Sequence, residues 1–452
     1  MKKSYICAIL AVFLLFGCLS GCSNSGNPAN PTESSAPTDP TEILLSPSEQ
    51  FLFLPHCLTV NLYDTATNTY SFVWNTDADP LNPVLQLCEG DVFDEATAVN
   101  HPAIQETLAG KLVYKVRIAL KAGKSYSYRV YDTKAKMGSA IYRFTARDPE
   151  KESFTFVHIS DSQVYDYTYQ AGLPLGLVLQ QLTAWETLPE FLFHTGDIVH
   201  FGSTETMWRS LLDFNAILLS NLPFAAVAGN HEMVGYGGGQ YDVLKHFDAK
   251  MPEQDCTKGY YYSFDYGDVR FIQISTNDQT EDYKLSQAQY DWIEDQLKNN
   301  DKKWTIVGMH HAMYSVGSWG NDPSIVHVTT ALREQLSDLF AQYGVDLVLQ
   351  GHDHTYSYTY PIAEGHTALK DTQTEGNYFV NPKGVVYGMH GPAGDQDKEP
   401  WETYEDFYKY AGTGKDSSWA EITVEENKLT VTVKNCMGGT PETVFTYGII
   451  KN

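Results

Sequence analysis

Five apolar runs between residues 154 and 350 each end in residues able to hold a metal ion. Residues 154–160 run into Asp161, and 191–196 into Asp197. Residues 224–229 run into Asn230-His231-Glu232, and 304–309 into His310-His311. Residues 345–350 run into Gly351-His352-Asp353-His354. A single Asp or His in such a place is an ordinary turn or capping residue. Five in series, all oxygen or imidazole donors, point to a shared site. Of 14 histidines, all but His56 and His101 lie after residue 150. A donor set without thiolate suits iron, manganese, zinc or cobalt better than copper(I) or an iron–sulfur cluster. Asp197 has two carboxylate oxygens and can serve two ions at once. Metals about 3.5–4 Å apart clamp the attacking and leaving oxygens of a phosphoryl transfer.

Such a set needs a rigid frame. From residue 149 to 452, apolar β-rich runs alternate with helical patterns at 173–187, 204–220, 287–299 and 329–343. That alternation predicts an α/β layered domain, whose ligands gather at the carboxyl ends of the strands. The end of the chain returns to strands, with a hairpin at 419–424 and 429–434 and a closing strand at 443–450. Ahead of this part, residues 46–148 carry short alternating runs at 58–62, 70–74, 83–88, 112–118, 126–131 and 140–145. Turn-rich segments separate them, so an antiparallel β-sandwich is expected, with Trp74 as a core anchor.

The first 45 residues read differently. Lys2 and Lys3 precede an apolar stretch at 6–19, which marks residues 1–22 as an export signal. Leu19-Ser20-Gly21-Cys22 resembles the bacterial lipoprotein box, which implies lipidation of Cys22. Residues 23–45 are mainly Ser, Pro, Thr, Asn and Gly and read as a tether. The implied location is the outer face of a bacterial membrane, held by lipid alone. Export permits disulfides among Cys57, Cys88, Cys256 and Cys436. A Cys57–Cys88 pair and free buried thiols are equal readings.

Composition removes other classes. With 31 Lys+Arg, 56 Asp+Glu and a net charge of −25, the chain is a poor nucleic-acid binder. A small phosphorylated substrate is still compatible, because bound cations reverse the field locally. At 42% hydrophobic residues the chain can build a core. One long apolar run excludes a polytopic helical membrane protein.

The ordered blocks Asp161, Gly196-Asp197, Gly229-Asn230-His231-Glu232, His310 and Gly351-His352-Asp353-His354 resemble those of calcineurin-like metallophosphoesterases. The β-rich region ahead and the strands from Trp419 onward resemble the purple acid phosphatase branch, with its fibronectin-III-like N-terminal domain. The implied fold is α/β, a four-layer metallophosphoesterase β-sandwich flanked by helices, preceded by a small all-β sandwich. The resemblance implies that Asp161, Asp197 and His354 hold one metal. Asp197, Asn230, His310 and His352 hold the other, and His231 contacts the phosphate.

Two departures stand out. The purple branch has a Tyr three residues after the bridging Asp, where this chain has His200. Related enzymes often have a His two residues after the first Asp, where this chain has Gln163. His200 is therefore expected as a ligand, and Gln163 as a ligand or water contact. His311, His327 and His390 are candidate substrate contacts. The expected cofactors are two transition-metal ions, from iron, manganese or zinc. The expected reaction is hydrolysis of a phosphoric monoester by a hydroxide that the metals generate, with Asp197 and His231 as the catalytic residues. A diesterase or nucleotide hydrolase on the same fold, and a catalytically dead surface-binding lipoprotein, are the alternatives.

Overall fold

The computed structural model describes residues 46–164, 173–185, 188–233, 238–254, 258–394 and 396–452. The expected signal, tether and Cys22 lie outside them, as does Cys256. No helix among the described residues is long and apolar enough to cross a membrane.

Two large sheets position the site. The first has twelve strands. At its centre Phe154–Ile159, Leu192–His194 and Phe224–Ala226 run parallel. Ser418–Val424 pairs antiparallel with Phe154–Ile159 and leads into Lys428–Asn435 and Glu442–Ile450. The second sheet has seven strands. Its parallel set is Val269–Ile274, Trp304–Met309, Leu347–Gln350 and Val386–His390. Tyr262–Tyr266 and Tyr356–Thr359 flank that set antiparallel.

Aromatic rings fill the space between these sheets. Phe156 and Phe191, from the first sheet, meet Phe271 of the second at 5.2 and 5.5 Å between ring centres. Edge-to-face packing of this kind adds about 0.5–1.5 kcal/mol per pair beyond area burial. Helices cover the outer faces. Ile293 and Leu297 of Gln287–Lys298, with Leu332, Leu336 and Phe340 of His327–Gln342, pack on the second sheet. Val178 and Leu182 of Leu173–Thr183, with Trp208 and Leu211 of Glu205–Leu212, belong to the core of the first. The layers are thus helix, sheet, sheet, helix.

The region before residue 149 is almost wholly β. His56–Asp64, Thr69–Asn75 and Lys111–Ala119 pair antiparallel, and they face Pro83–Glu89 and Ser125–Asp132. Phe72 lies between Tyr128 and Phe144, at 4.8 and 5.8 Å. Trp74 is buried, as expected of a core anchor. His56–Asp64 also pairs in parallel with Phe224–Ala226, at Asn61 and Phe224. One continuous sheet therefore links this region to the layer that carries Asp161 and Asp197.

Some boundaries differ from expectation. The helix expected over 204–220 breaks into Glu205–Leu212 and Ala216–Leu219. Asp213 and Asn215 occupy the break, where short polar side chains compete with helical backbone bonds. Cys57, Cys88 and Cys436 are buried and free. Cys57 and Cys88 cannot pair here, because Cys88 Sγ faces the Asp94 carbonyl at 3.4 Å while Cys57 Sγ faces Glu205.

Candidate metal centre

The parallel strands of both sheets deliver their carboxyl ends to one edge. Asp161 follows Ile159, Asp197 follows His194, and Asn230 and His231 follow Ala226. From the second sheet, His310 follows Met309, and His352 and His354 follow Gln350. Asp161, Asp197 and His354 place donor atoms within 4.8 Å of one another, and so do Asp197, His310 and His352. Asp197 is common to both groups.

The detailed contacts extend this set. His354 Nε2 lies 3.3 Å from Asp161 Oδ1. His310 Nε2 lies 3.2 Å from Asp197 Oδ2, 2.9 Å from Asn230 Oδ1 and 3.2 Å from His352 Nδ1. Four donors from four strand ends thus converge on one point. The Gln163 amide donates to Asp197 Oδ2 at 3.0 Å, and its Oε1 is buried without a hydrogen bond. His354 Nδ1 is a second buried atom without a hydrogen bond. Orphaned buried donors beside shared carboxylates fit a pair of bound cations, because isolated buried polar groups are otherwise costly.

The backbone is strained at this edge. Asp161 (φ 54°), Gln163 (35°), Asp197 (54°), His352 (75°) and His354 (54°) all take left-handed conformations. Non-glycine residues enter that region at a cost, and such outliers cluster at functional sites. Glycines make room for the fit. A Cβ on Gly229 would overlap Asp197, and one on Gly351 would overlap Ser160 and Asp161.

Residues without an assigned role in the sequence reading hold these ligands in place. Glu232 is wholly buried, and its carboxylate accepts backbone N–H bonds from Asp197, Ile198, Val199 and Gly229 at 2.8–3.0 Å. Burial first, then the neighbouring Asp197, pushes its acid up to about 8, while the N–H donors pull the other way. The Thr195 carbonyl accepts from His310 Nδ1 at 3.0 Å, which turns Nε2 toward the site. Asp353 binds Ser315 Oγ and accepts from Trp319 and Gly320 N–H at 3.3 and 3.2 Å. It thereby fixes a loop whose Trp319 ring lies 4.8 Å from His352.

The remaining expected contacts divide. His231 is at the site, with its N–H on Asp197 Oδ1 at 2.9 Å and its Nε2 3.8 Å from Asp197 Oδ2. His311 lies beside it, 4.5 Å from the His352 ring, with Nδ1 held by Thr276 at 2.8 Å. His200 is not among the grouped donors. Its backbone bonds Val164 at 3.1 Å, and its ring packs 4.7 Å from His231. His390 is corrected outright. It is buried between the sheets, with His158 at 2.8 Å and Tyr447 at 3.0 Å on its two ring nitrogens. His327 is exposed at the start of its helix and stacks on Tyr283 at 5.8 Å. Neither is placed as a substrate contact.

The electrostatics favour a charged pair when no ion is bound. Burial opposes the imidazolium of His310, but Asp197 and Asp161 outweigh it and raise the ring to about 9. Burial would raise Asp197, yet His310 and His231 hold it below the usual carboxylate range. The raised His310 contributes stability that is full below about 6.5 and lost as pH rises through about 9. The depressed Asp197 contributes stability present above about 3.9 and lost as pH falls below it. Metal-stripped protein should therefore lose stability on both sides of a window from about pH 4 to 6.5, read as the urea midpoint. Because His310 must be neutral to ligate, metal affinity should rise with pH across the same range. A pH-independent affinity would contradict the assignment of His310.

The chain is similar to known proteins. Residues 154–356 match the family model "Calcineurin-like phosphoesterase". "Probable inactive purple acid phosphatase 27" of Arabidopsis thaliana is 27% identical over 239 residues, 48% of this chain and 38% of that protein. "Purple acid phosphatase 23" of the same plant is 28% identical over 196 residues, 42% of this chain and 38% of that protein. The matches thus span less than two-fifths of each relative. The solved structure of purple acid phosphatase PPD1 from yellow lupin (Lupinus luteus) seeds superposes with a TM-score of 0.72 at 18% identity. It covers 88% of this chain and 75% of that one.

Proposed function

We propose that this chain, which carries a calcineurin-like phosphoesterase domain of purple acid phosphatase-like type, is an active phosphohydrolase. Its preferred substrate is a phosphoric monoester. The observation that carries the reading is the Asp197 carboxylate shared by two buried donor groups. Asp161, Asp197 and His354 would hold one ion, with Gln163 Oε1 beside them. Asp197, Asn230, His310 and His352 would hold the other. Bound there, the two ions supply Lewis acidity and a nucleophile at neutral pH.

The chain's own residues supply the rest. Asp197 fixes the spacing of the two positions. The backbone carbonyl of His200 can only accept, so His231 Nδ1 donates to it across 3.0 Å. In the imidazolium form the opposite nitrogen, Nε2, also carries a proton, and it is then the atom that can stabilise a charged phosphate oxygen or pass that proton to the leaving alkoxide. Trp319 and His311 flank His352, with ring centres 4.8 and 4.5 Å from it. No Ser or Cys nucleophile is needed. Ser162 Oγ is held by His194 and the Ile198 carbonyl, which occupies it structurally.

The presence of both donor groups argues against the dead binding protein, although three relatives carry the word inactive in their names. Nitrophenyl phosphate assayed beside bis-nitrophenyl phosphate separates the remaining readings. Faster turnover of the monoester, abolished by chelator, is expected. Turnover of the diester alone would replace the monoesterase reading by the diesterase. We also propose export and lipid anchoring at Cys22. Its support is the Lys2-Lys3 start, the apolar stretch at 6–19 and the Leu19–Cys22 box.

A further inference from the structure

A second mixed donor set lies where the strand His56–Asp64 meets the helix Glu205–Leu212. Donor atoms of His56, Cys57 and Glu205 all fall within 4.8 Å of one another. His56 Nδ1 is 3.8 Å from Glu205 Oε1, and Cys57 Sγ is 3.9 Å from the same oxygen. Both ring nitrogens of His56 are buried without a hydrogen bond.

Outer contacts aim these donors at one another. Cys57 takes a left-handed φ of 52° where the pairing of His56–Asp64 with its neighbour is irregular. Its N–H donates to Asp213 Oδ1 at 2.6 Å, which fixes that conformation. Lys245, itself buried, holds the other oxygen of Glu205 at 3.2 Å and leaves Oε1 toward His56 and Cys57. A charge pair alone would need neither an imidazole with both ring nitrogens unbonded nor a thiol facing the same carboxylate. Outer partners that orient nitrogen, sulfur and oxygen donors are what a metal site requires.

We propose that His56, Cys57 and Glu205 bind a third divalent ion, of the zinc class. Imidazole, thiolate and carboxylate together suit zinc. Zinc bonds of about 2.0–2.3 Å put tetrahedral donors roughly 3.2–3.7 Å apart, so the spacings of 3.8 and 3.9 Å to Glu205 Oε1 need to close by only a few tenths. Water from the cavity of about 210 Å³ that His56, Asp77 and Glu205 line fills the fourth position. As the metal–sulfur bond forms, the thiol proton leaves to solvent. The ion would tie the N-terminal β region to a helix of the catalytic layer. The site stands on its own donors, whether or not the chain hydrolyses phosphate.

Cobalt(II) tests it directly, because the donor groups around Asp197 contain no sulfur. Titrating the metal-free full chain should produce a thiolate-to-cobalt charge-transfer band that saturates at one ion per chain. The band should persist in Asp197→Ala, vanish in Cys57→Ser, and need about tenfold or more cobalt in Glu205→Gln. No such band in the unsubstituted chain overturns the proposal. A band that survives Cys57→Ser overturns it as well, since another cysteine is then the source.

Discussion

Asp197→Ala is expected to empty both catalytic metal positions and to lower kcat/KM by at least about 10⁴-fold, roughly 5.5 kcal/mol of transition-state stabilisation. The size follows from position. Asp197 is the one carboxylate present in both donor groups, and it is also bonded by Gln163 and by the His231 N–H. Removing it leaves Asp161 and His354 on one side and Asn230, His310 and His352 on the other. Neither remnant has a carboxylate positioned between them. Asp197→Asn should keep the shape and still lose most activity, because an amide is a weaker and neutral bridge. If either variant kept full turnover, the shared-carboxylate reading would be wrong.

Glu232→Ala is expected to have the largest effect on stability. Four buried backbone N–H groups lose their acceptor at once. Each unsatisfied donor costs about 1–3 kcal/mol, so the loss is on the order of 4 kcal/mol or more. A typical domain is held by only about 5–15 kcal/mol, so the variant should be marginally folded. Glu232→Gln tests the same point with little change in volume. Its single amide oxygen cannot replace two carboxylate oxygens, and its NH₂ group meets N–H donors. A urea midpoint unchanged in both variants would show that the carboxylate is not what braces the Asp197 loop.

Much of the site was legible because chemistry and periodicity coincide there. Asp161, Asp197, Asn230, His310, His352 and His354 each follow an apolar β run, and the sheets do bring them together. The layered fold follows from the same alternation. Less was legible where a role depends on pairing across the fold. Nothing local shows that Glu232 gathers N–H groups from the 197–199 segment and from Gly229. His390 sits in an apolar strand, Val386–His390, and only the facing strand reveals its partner His158. His200 has the right spacing after Asp197, and only the fold shows that its ring packs tilted against that of His231, 4.7 Å away. Cys57 and Glu205 are 148 residues apart, so their proximity is a product of topology alone.

The most direct test is elemental analysis of the purified parent chain beside Asp197→Ala, each assayed on nitrophenyl phosphate with and without chelator. The parent should carry two more transition-metal ions per chain than the variant, and only the parent should show chelator-sensitive turnover. Equal metal content in the two chains, or parental turnover that resists chelator, would contradict a two-metal centre built on Asp197.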